Sequence, residues 1–486
     1  MIQFPEYSTR NFIDSAWIAG SGGSAVATNP ADGSVLGEIS NAGVADAEAA
    51  IGAAREAFDT TLWPQSPRDR QMVLLRWADA VEARAQDLAT MLTLQNGKPL
   101  SHSLMEVGGL VSEIRYYAGL CRNIHGQSME VSPGEYSVLL REPAGAVGII
   151  VPWNAPGVLL IRSLAPALAA GCSAVIKVAP QTSMFSMALL APLLASEGLP
   201  KGMVNVLTET GHDVAQALVV SPDIDVISFT GSNAVGAQIM ADAAPTLKKL
   251  SLELGGKSCC IVLDDADIGS IAPKLAAAAT IISGQQCTAA RRILVQESRL
   301  EEMRDSLGSA LKQIRIGDGR ADGIAMGPLI GVAARDAIAE RIARVEAEAD
   351  ELVVSAETPD GPGAFLTPSL VIHSDDNADF CQDEIFGPLV VLESFVDETE
   401  AVRKANNTVY GLSASVWTNR NDAAWRIARA LRDGTVWIND HNKLFAEAET
   451  GGYRRSGLGR LHGYDGLLDF MELKHVYQSV GVVPPA

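Results

Sequence analysis

Apolar residues recur every three or four positions along residues 44–60, VADAEAAIGAAREAFDT, and again through 67–95 and 102–122, each time among charged neighbours. That period puts one apolar stripe on a helix, so each stretch is expected to form an amphipathic helix. Residues 136–140 alternate apolar with polar instead, the two-residue period of a half-buried strand. From residue 145 the pattern becomes short apolar runs separated by helical stretches. Strands are expected at 147–151, 174–178, 204–207, 226–230 and 249–254, with helices at 163–170, 186–196, 213–220 and 235–244. Continuous apolar strands alternating with helices imply a parallel sheet covered on both faces. A second run of the same kind follows, with strands at 259–263, 292–296, 390–395, 414–417 and 436–439 and helices at 268–281, 299–314, 398–406 and 421–432. The apolar tail 476–486 carries Pro-Pro and is too short to fold alone, so it is expected to pair with a neighbouring subunit.

At 486 residues the chain is longer than one core usually serves, about 250–300 residues, so more than one domain is expected. Its 47% apolar and 20% charged residues are those of an ordinary globular protein. A net charge of −20 repels phosphate backbones, which excludes nucleic acid as an expected partner. An anionic cofactor would then need a local positive site such as a helix N-terminus. The most apolar zone, 143–179, is interrupted by Pro152, Trp153, Asn154, Pro156, Arg162, Pro166 and Lys177, so no membrane span is expected. The N-terminus lacks the basic and apolar regions of a secretory signal. Six cysteines show no CxxC spacing, and seven isolated histidines form no HExxH. Neither a disulfide framework nor a metal site is expected, and the cysteine usage fits a reducing cytoplasm.

One cysteine stands apart. Cys287 follows Ser283-Gly284-Gln285-Gln286 and precedes Arg291 and Arg292. A thiolate attacks carbonyl carbon well, so a thiol among small and polar residues is a candidate nucleophile. The other five, Cys121, Cys172, Cys259, Cys260 and Cys381, read as small buried apolar residues, Cys172 beside a helix end and Cys259 and Cys260 in an expected strand. Glu253 ends an expected strand and precedes Gly255-Gly256. Glycines there admit close approach, and the carboxylate could activate water; the alternative is a surface acid before a turn. Pro152-Trp153-Asn154 follows a strand at its carboxyl end, where open α/β sheets bind ligands, and an Asn amide can donate to an oxyanion. Phe229-Thr230-Gly231-Ser232-Asn233 runs from a strand into a helix start and suits a pyrophosphate. Gly457-Leu458-Gly459 lacks a βαβ setting, and Gly97-Lys98-Pro99 lacks the glycine spacing of a P-loop.

Taken in order, Pro152-Trp153-Asn154, Lys177, Phe229 to Ser232, Glu253 to Lys257, Gly284 to Cys287, Glu384-Ile385-Phe386-Gly387-Pro388, Asn407 to Gly411 and Ser456 to Arg460 resemble the NAD(P)-dependent aldehyde dehydrogenase superfamily from Phe12 to about Gly466. The resemblance implies an α/β chain with a Rossmann-type cofactor domain (1–120 and 141–251), an α/β catalytic domain (252–449), a small β oligomerisation arm (121–140 and 466–486) and a segment, 450–465, returning near the active site. It implies that Cys287 forms a thiohemiacetal and then a thioester. Asn154 and the Cys287 N–H would hold the oxyanion, and Glu253 would activate the hydrolytic water. Trp153, Lys177, Gly231, Ser232, Glu384 and Phe386 would bind NAD or NADP. The partners implied are a small-molecule aldehyde and a second copy of the chain, as a homodimer or homotetramer.

Departures from the family pattern bear on specificity. NAD-preferring members usually carry Glu where this chain has Pro180, which removes a carboxylate that would repel a 2′-phosphate. Leu461 follows Arg460 where Glu is usual, and Glu449-Thr450 replaces Pro-Phe before Gly451-Gly452. Arg162, eight residues after Asn154, matches an arginine of succinate-semialdehyde-type members and could bind a substrate carboxylate, or else pair with Glu447 or Glu449. A second substrate arginine of those relatives is Ile281 here, which argues against succinic semialdehyde itself. No aromatic cage for a trimethylammonium aldehyde is evident at Ala155, Leu159, Leu160 and Ile161. The rival readings are a CoA-acylating relative, a non-catalytic structural protein on this fold, and a cysteine hydrolase.

Overall fold

The computed structural model describes residues 4–485; residues 1–3 and 486, the outermost positions of the expected cofactor domain and arm, lie outside the described residues. The largest sheet has eight strands in the order Gly457–Leu458, Lys249–Glu253, Val226–Thr230, Ala146–Ile150, Ser173–Val178, Val204–Thr208, Asn11–Ile13 and Ala16–Ile18. Its five strands from Lys249–Glu253 to Val204–Thr208 are parallel. Strand alternation divides their apolar side chains between two faces. Val147 and Ile149 join one core with helix Pro156–Ala170, while Ala146 and Ile150 join another with helix Val44–Thr60. The chain runs outward from Ala146–Ile150 through Ser173–Val178 and Val204–Thr208, then returns to the other flank at Val226–Thr230. The strand order therefore reverses beside Ala146–Ile150, and a ligand crevice belongs at the carboxyl ends there.

A second sheet orders Glu351–Val354, Ser369–Ile372, Leu389–Phe395, Arg292–Gln296, Cys259–Val262, Ser413–Trp417 and Thr435–Ile438. All its pairings are parallel except that of the first strand. A third sheet pairs Met471–Ser479 with Glu135–Pro143 and the latter with Gln127–Ser132, both antiparallel. Part of the expected tail lies in this sheet, at its edge. Residues 476–479 pair within their own chain, Val476 opposite Val138 and Ser479 opposite Glu135, because a hydrogen-bonding edge of the same chain lies alongside.

Other differences are local. The stretch 67–95 is two helices, Pro67–Ala83 and Ala85–Asn96, broken at Arg84, whose guanidinium reaches the Ala188 carbonyl at 3.3 Å. The helix expected at 163–170 starts at Pro156, since proline at the first helical position fixes φ and needs no N–H partner. Strands Asn11–Ile13 and Ala16–Ile18 and helix Val332–Glu348 carry patterns too short or too polar to stand out. Asn11–Ile13 joins the first sheet by long-range pairing to Val206.

Candidate active site

Cys287 lies in the segment between helix Ile268–Thr280 and strand Arg292–Gln296. That segment is bent sharply: Ile282, Ser283 and Gly284 all take left-handed φ, at +48°, +56° and +71°. Such conformations are uncommon outside glycine and persist where the surroundings hold them. Of the six cysteines only Cys287 is not buried. It opens onto a cavity of about 940 Å³ whose lining includes Asn154, Arg162, Glu253, Thr450 and Trp437. Residues from three distant stretches of the chain, Asn154 with Arg162, Glu253, and Cys287, thus share one chamber.

Glu253 ends its strand and is buried, with Oε1 lacking any partner. Burial pushes its pKa up to about 7, against the opposing pull of Arg162 and then Arg460. Although it opens onto the cavity, the Cys287 thiol is ringed by protein, and this desolvation pushes it up to about 11. Arg162 pulls the thiol down, while Glu253 and Glu384 push it further up. The Gly255-Gly256 pair lets these groups converge: a Cβ on Gly256 would stand 2.9 Å from the Cys287 carbonyl oxygen. Asn154 donates one amide hydrogen from Nδ2 to the Gln285 carbonyl at 3.0 Å, which leaves its second free.

Arg162 is buried, and its Nε and Nη2 have no partner. The alternative of pairing with Glu449 fails, because that carboxylate accepts from the Tyr464 and Asp465 N–H groups at 2.9 and 3.3 Å. Among the described residues no ion pair joins Arg162 to Glu447 either. Leu461 is buried and exchanges backbone hydrogen bonds with Thr450 at 2.9 and 2.8 Å, so it backs the cavity wall. The cavity's aromatic lining comes from Trp417, Trp437 and Phe445, not from the 155–161 stretch.

The segment carrying Cys287 is held by groups that carry no signal in the sequence. His441 Nε2 lies 2.8 Å from the Thr288 carbonyl, which can only accept, so that nitrogen carries the proton. Burial keeps His441 below its usual pKa. Gln286 and Thr288 both reach Asn442 Oδ1, at 2.8 and 2.7 Å. On the other side, Lys98 Nζ donates to the Asn154 carbonyl at 2.9 Å and Asn96 Nδ2 donates to that of Trp153 at 2.9 Å. Lys98 partners Asn154 from 56 residues away, a pairing with no local sequence signal.

The remaining expected residues do not line this chamber. They sit at the carboxyl ends of the first sheet and on the loop after Asp383. Trp153 and Phe386 face each other edge to face, ring centroids 5.9 Å apart. Ser232 caps helix Asn233–Ala243, its Oγ accepting from Val235 N–H. The Gly231 N–H bonds the Glu253 carbonyl at 2.9 Å and joins neighbouring strands instead of facing outward. Lys177 is the last residue but one of its strand, and desolvation lowers its pKa against the charge of Glu209. Glu209 itself accepts from the Val214 N–H at 2.7 Å. Glu384 is held on a loop that Lys257 clamps through the Phe380 and Asp383 carbonyls, and its Oε1 is buried without a partner. Among the described residues no cluster of His, Cys, Asp or Glu could hold a metal ion, and no helix is long and apolar enough to cross a membrane.

Comparison with known proteins gives consistent results. A model described as the aldehyde dehydrogenase family matches residues 17–476. The putative aldehyde dehydrogenase DhaS of Bacillus subtilis is 34% identical over 480 residues, covering 98% of this chain and 97% of that one. The succinate-semialdehyde dehydrogenase [NADP(+)] GabD of Escherichia coli is 34% identical over 476 residues, 97% of each. A crystal structure of betaine aldehyde dehydrogenase from Staphylococcus aureus in complex with NAD+ superposes with a TM-score of 0.93 at 32% identity, covering 98% of this chain and 96% of that one.

Proposed function

Because the chain belongs to the aldehyde dehydrogenase family, we propose that it oxidises an aldehyde to a carboxylic acid with NAD or NADP, using Cys287 as nucleophile and Glu253 as base. The observation that carries this reading is one chamber lined by the part-exposed Cys287 and by a buried carboxylate that has one unpartnered oxygen and a pKa near 7. A general base works best when its pKa lies near the working pH.

The residues fit a dinucleotide. The N-terminus of helix Asn233–Ala243, capped by Ser232, opens at the point where the strand order reverses and suits a pyrophosphate. Lys177 would hold the adenosine ribose, and Glu384, with a buried orphan oxygen, the nicotinamide ribose. Trp153 and Phe386 would flank the nicotinamide, and Gly231 would keep the turn slim. When bound, the nicotinamide accepts a hydride. The chain's own residues do the rest. Glu253 takes the Cys287 proton, and the thiolate attacks the aldehyde carbon. The second amide hydrogen of Asn154 and the Cys287 N–H hold the resulting oxyanion. Once hydride has left, a thioester remains on Cys287 and Glu253 returns the thiol's proton to solvent; Glu253 then deprotonates a water that attacks the thioester carbon, the C–S bond breaks, the acid departs, and the water's proton restores the Cys287 thiol.

Arg162 points to the substrate. Its unpartnered nitrogens in the chamber suit a carboxylate on a small semialdehyde and repel a quaternary ammonium. The retained base favours hydrolysis over transfer to CoA, and the assembled chamber disfavours a purely structural role. The three larger sheets support a partition into cofactor domain, catalytic domain and arm, and exposed Met129, Leu473 and Tyr477 on the third of them support a homodimer or homotetramer. Six free thiols support a cytoplasmic setting. The test is an aldehyde panel with and without an added carboxyl group, assayed with NAD and NADP separately. Cys287→Ala should abolish formation of reduced cofactor, and persistent turnover would refute the reading.

A further inference from the structure

We propose that Arg291 is a positioning residue that locks the nucleophile segment and ties it to the loop carrying Glu384 and Phe386. This rests on Cys287 being the nucleophile. Arg291 is 1% exposed, yet it faces no carboxylate within ion-pair distance among the described residues. Its fork spans two loops instead. Nη2 donates to the Gly284 carbonyl and to that of Gln286 at 3.1 Å, both just ahead of Cys287. Nη1 donates to the Gly387 carbonyl at 2.6 Å. The guanidinium carbon stands 5.8 Å from the Phe386 ring centroid, and burial lowers the Arg291 pKa against the opposing charge of Glu384.

The two loops are in contact at this point. A Cβ added to Gly284 would overlap the Gly387 carbonyl, so the segment can pass only as glycine. The three left-handed residues 282–284 need restraint from outside. Ser283 Oγ supplies it on one side, reaching the Gly327 and Pro328 carbonyls at 2.7 and 3.0 Å. Arg291 supplies it on the other. The adjacent Arg292 does something else: it pairs with Glu393 through Nε and Nη2 at 2.6 and 2.7 Å, inside the second sheet. Lysine at 291 would keep the charge but could not reach three carbonyls on two loops, since only the planar guanidinium presents a fork. The function assigned to Arg291 is thus to fix the spacing between the thiol and the groups that would face the nicotinamide.

The experiment compares wild type, Arg291→Lys, Arg291→Met and Ser283→Ala in two measurements. One is the rate of Cys287 alkylation by iodoacetamide, with and without saturating NAD+ or NADP+; the other is kcat and KM beside the melting temperature. Wild type should alkylate at a rate that responds to the dinucleotide. Arg291→Met should lose at least tenfold in kcat with KM for aldehyde little changed, and its alkylation should no longer respond. Arg291→Lys should resemble Arg291→Met. If Arg291→Met fails to fold, Ser283→Ala, which frees the same segment from its other side, should still show an altered alkylation rate. Wild-type alkylation and kcat in Arg291→Met, full rescue by lysine, or an unaltered Ser283→Ala where Arg291→Met does not fold would overturn the proposal. An active Cys287→Ala would instead overturn the reading on which it rests.

Discussion

Lys98 Nζ lies 2.6 Å from Glu106 Oε2 in a pair whose side chains are 1% and 7% exposed, and each partner grips one flank of Asn154. Lys98 holds the Asn154 carbonyl. Glu106 Oε1 accepts from the Gly157 and Val158 N–H groups at 2.9 and 3.3 Å, at the start of helix Pro156–Ala170, which has no side-chain cap of its own. Removing one partner leaves a buried charge, which typically costs roughly 3–5 kcal/mol. Lys98→Met is therefore expected to lower the melting temperature and to reduce kcat more than it raises KM, because the Asn154 amide loses its support. Glu106→Gln keeps an acceptor for the helix N–H groups and should be milder. Equal effects of the two on kcat would count against the clamp.

As the proposed base, Glu253 is expected to set the pH dependence. Its pKa is raised to about 7 by burial, so the base form appears as pH climbs through 7, and kcat/KM should rise there with one inflection. The Cys287 thiol, pushed up to about 11, would place the inflection far higher if it ionised unaided. Glu253→Gln should abolish the inflection near 7 and keep the burst of reduced cofactor slow until the pH approaches the Cys287 value of about 11, because no base remains to take the thiol's proton.

The same shift carries a stability consequence. A carboxyl whose folded pKa is raised binds its proton more tightly when folded. Its contribution is full below the unfolded value near 4.5 and is lost as pH rises to about 7. The penalty above that window is on the order of 3 kcal/mol. Glu253→Gln should thus melt at a higher temperature than wild type at pH 8 and at about the same temperature at pH 4.5. Thermal melts at both pH values check the sign.

Arg162 should be read through two observables. Arg162→Leu is expected to lower kcat/KM for a carboxylated semialdehyde by about 10- to 100-fold, the range of a lost charged hydrogen bond, while an uncharged aldehyde of equal length suffers less. The inflection near pH 7 should also move up, because Arg162 lowers the Glu253 pKa. Unchanged discrimination between the two aldehydes would remove the carboxylate anchor even if the inflection moved.

Pro180→Glu tests cofactor choice. Pro180 opens a short 3₁₀ turn just past the strand that ends near Lys177. A carboxylate there could accept from a ribose hydroxyl and would repel a 2′-phosphate, so the ratio of kcat/KM for NADP over NAD should fall at least tenfold, about 1.4 kcal/mol. Measuring both cofactors on wild type and variant decides it.

Much of the fold is local information and was legible without coordinates. Strand Val226–Thr230 and helix Val44–Thr60 follow from apolar periodicity, which depends only on neighbours along the chain. The position of Cys287 was marked by glycine and polar neighbours, and the order of the motifs indicated the family. What the residues around the thiol do was not legible. Arg162 could equally have been an ion-pair partner, and only packing shows that Glu449 turns instead to the N–H groups of Tyr464 and Asp465. Arg291 and Arg292 are adjacent and identical in type, yet one bridges two active-site loops and the other closes a buried pair with Glu393. Strand geometry sends neighbouring side chains to opposite sides, and only the fold decides what waits on each. The sequence thus determined the elements and the family, and marked Cys287 as the candidate nucleophile. The tertiary structure decided which charges stay unpaired, because desolvation and pairing depend on groups brought together from opposite ends of the chain.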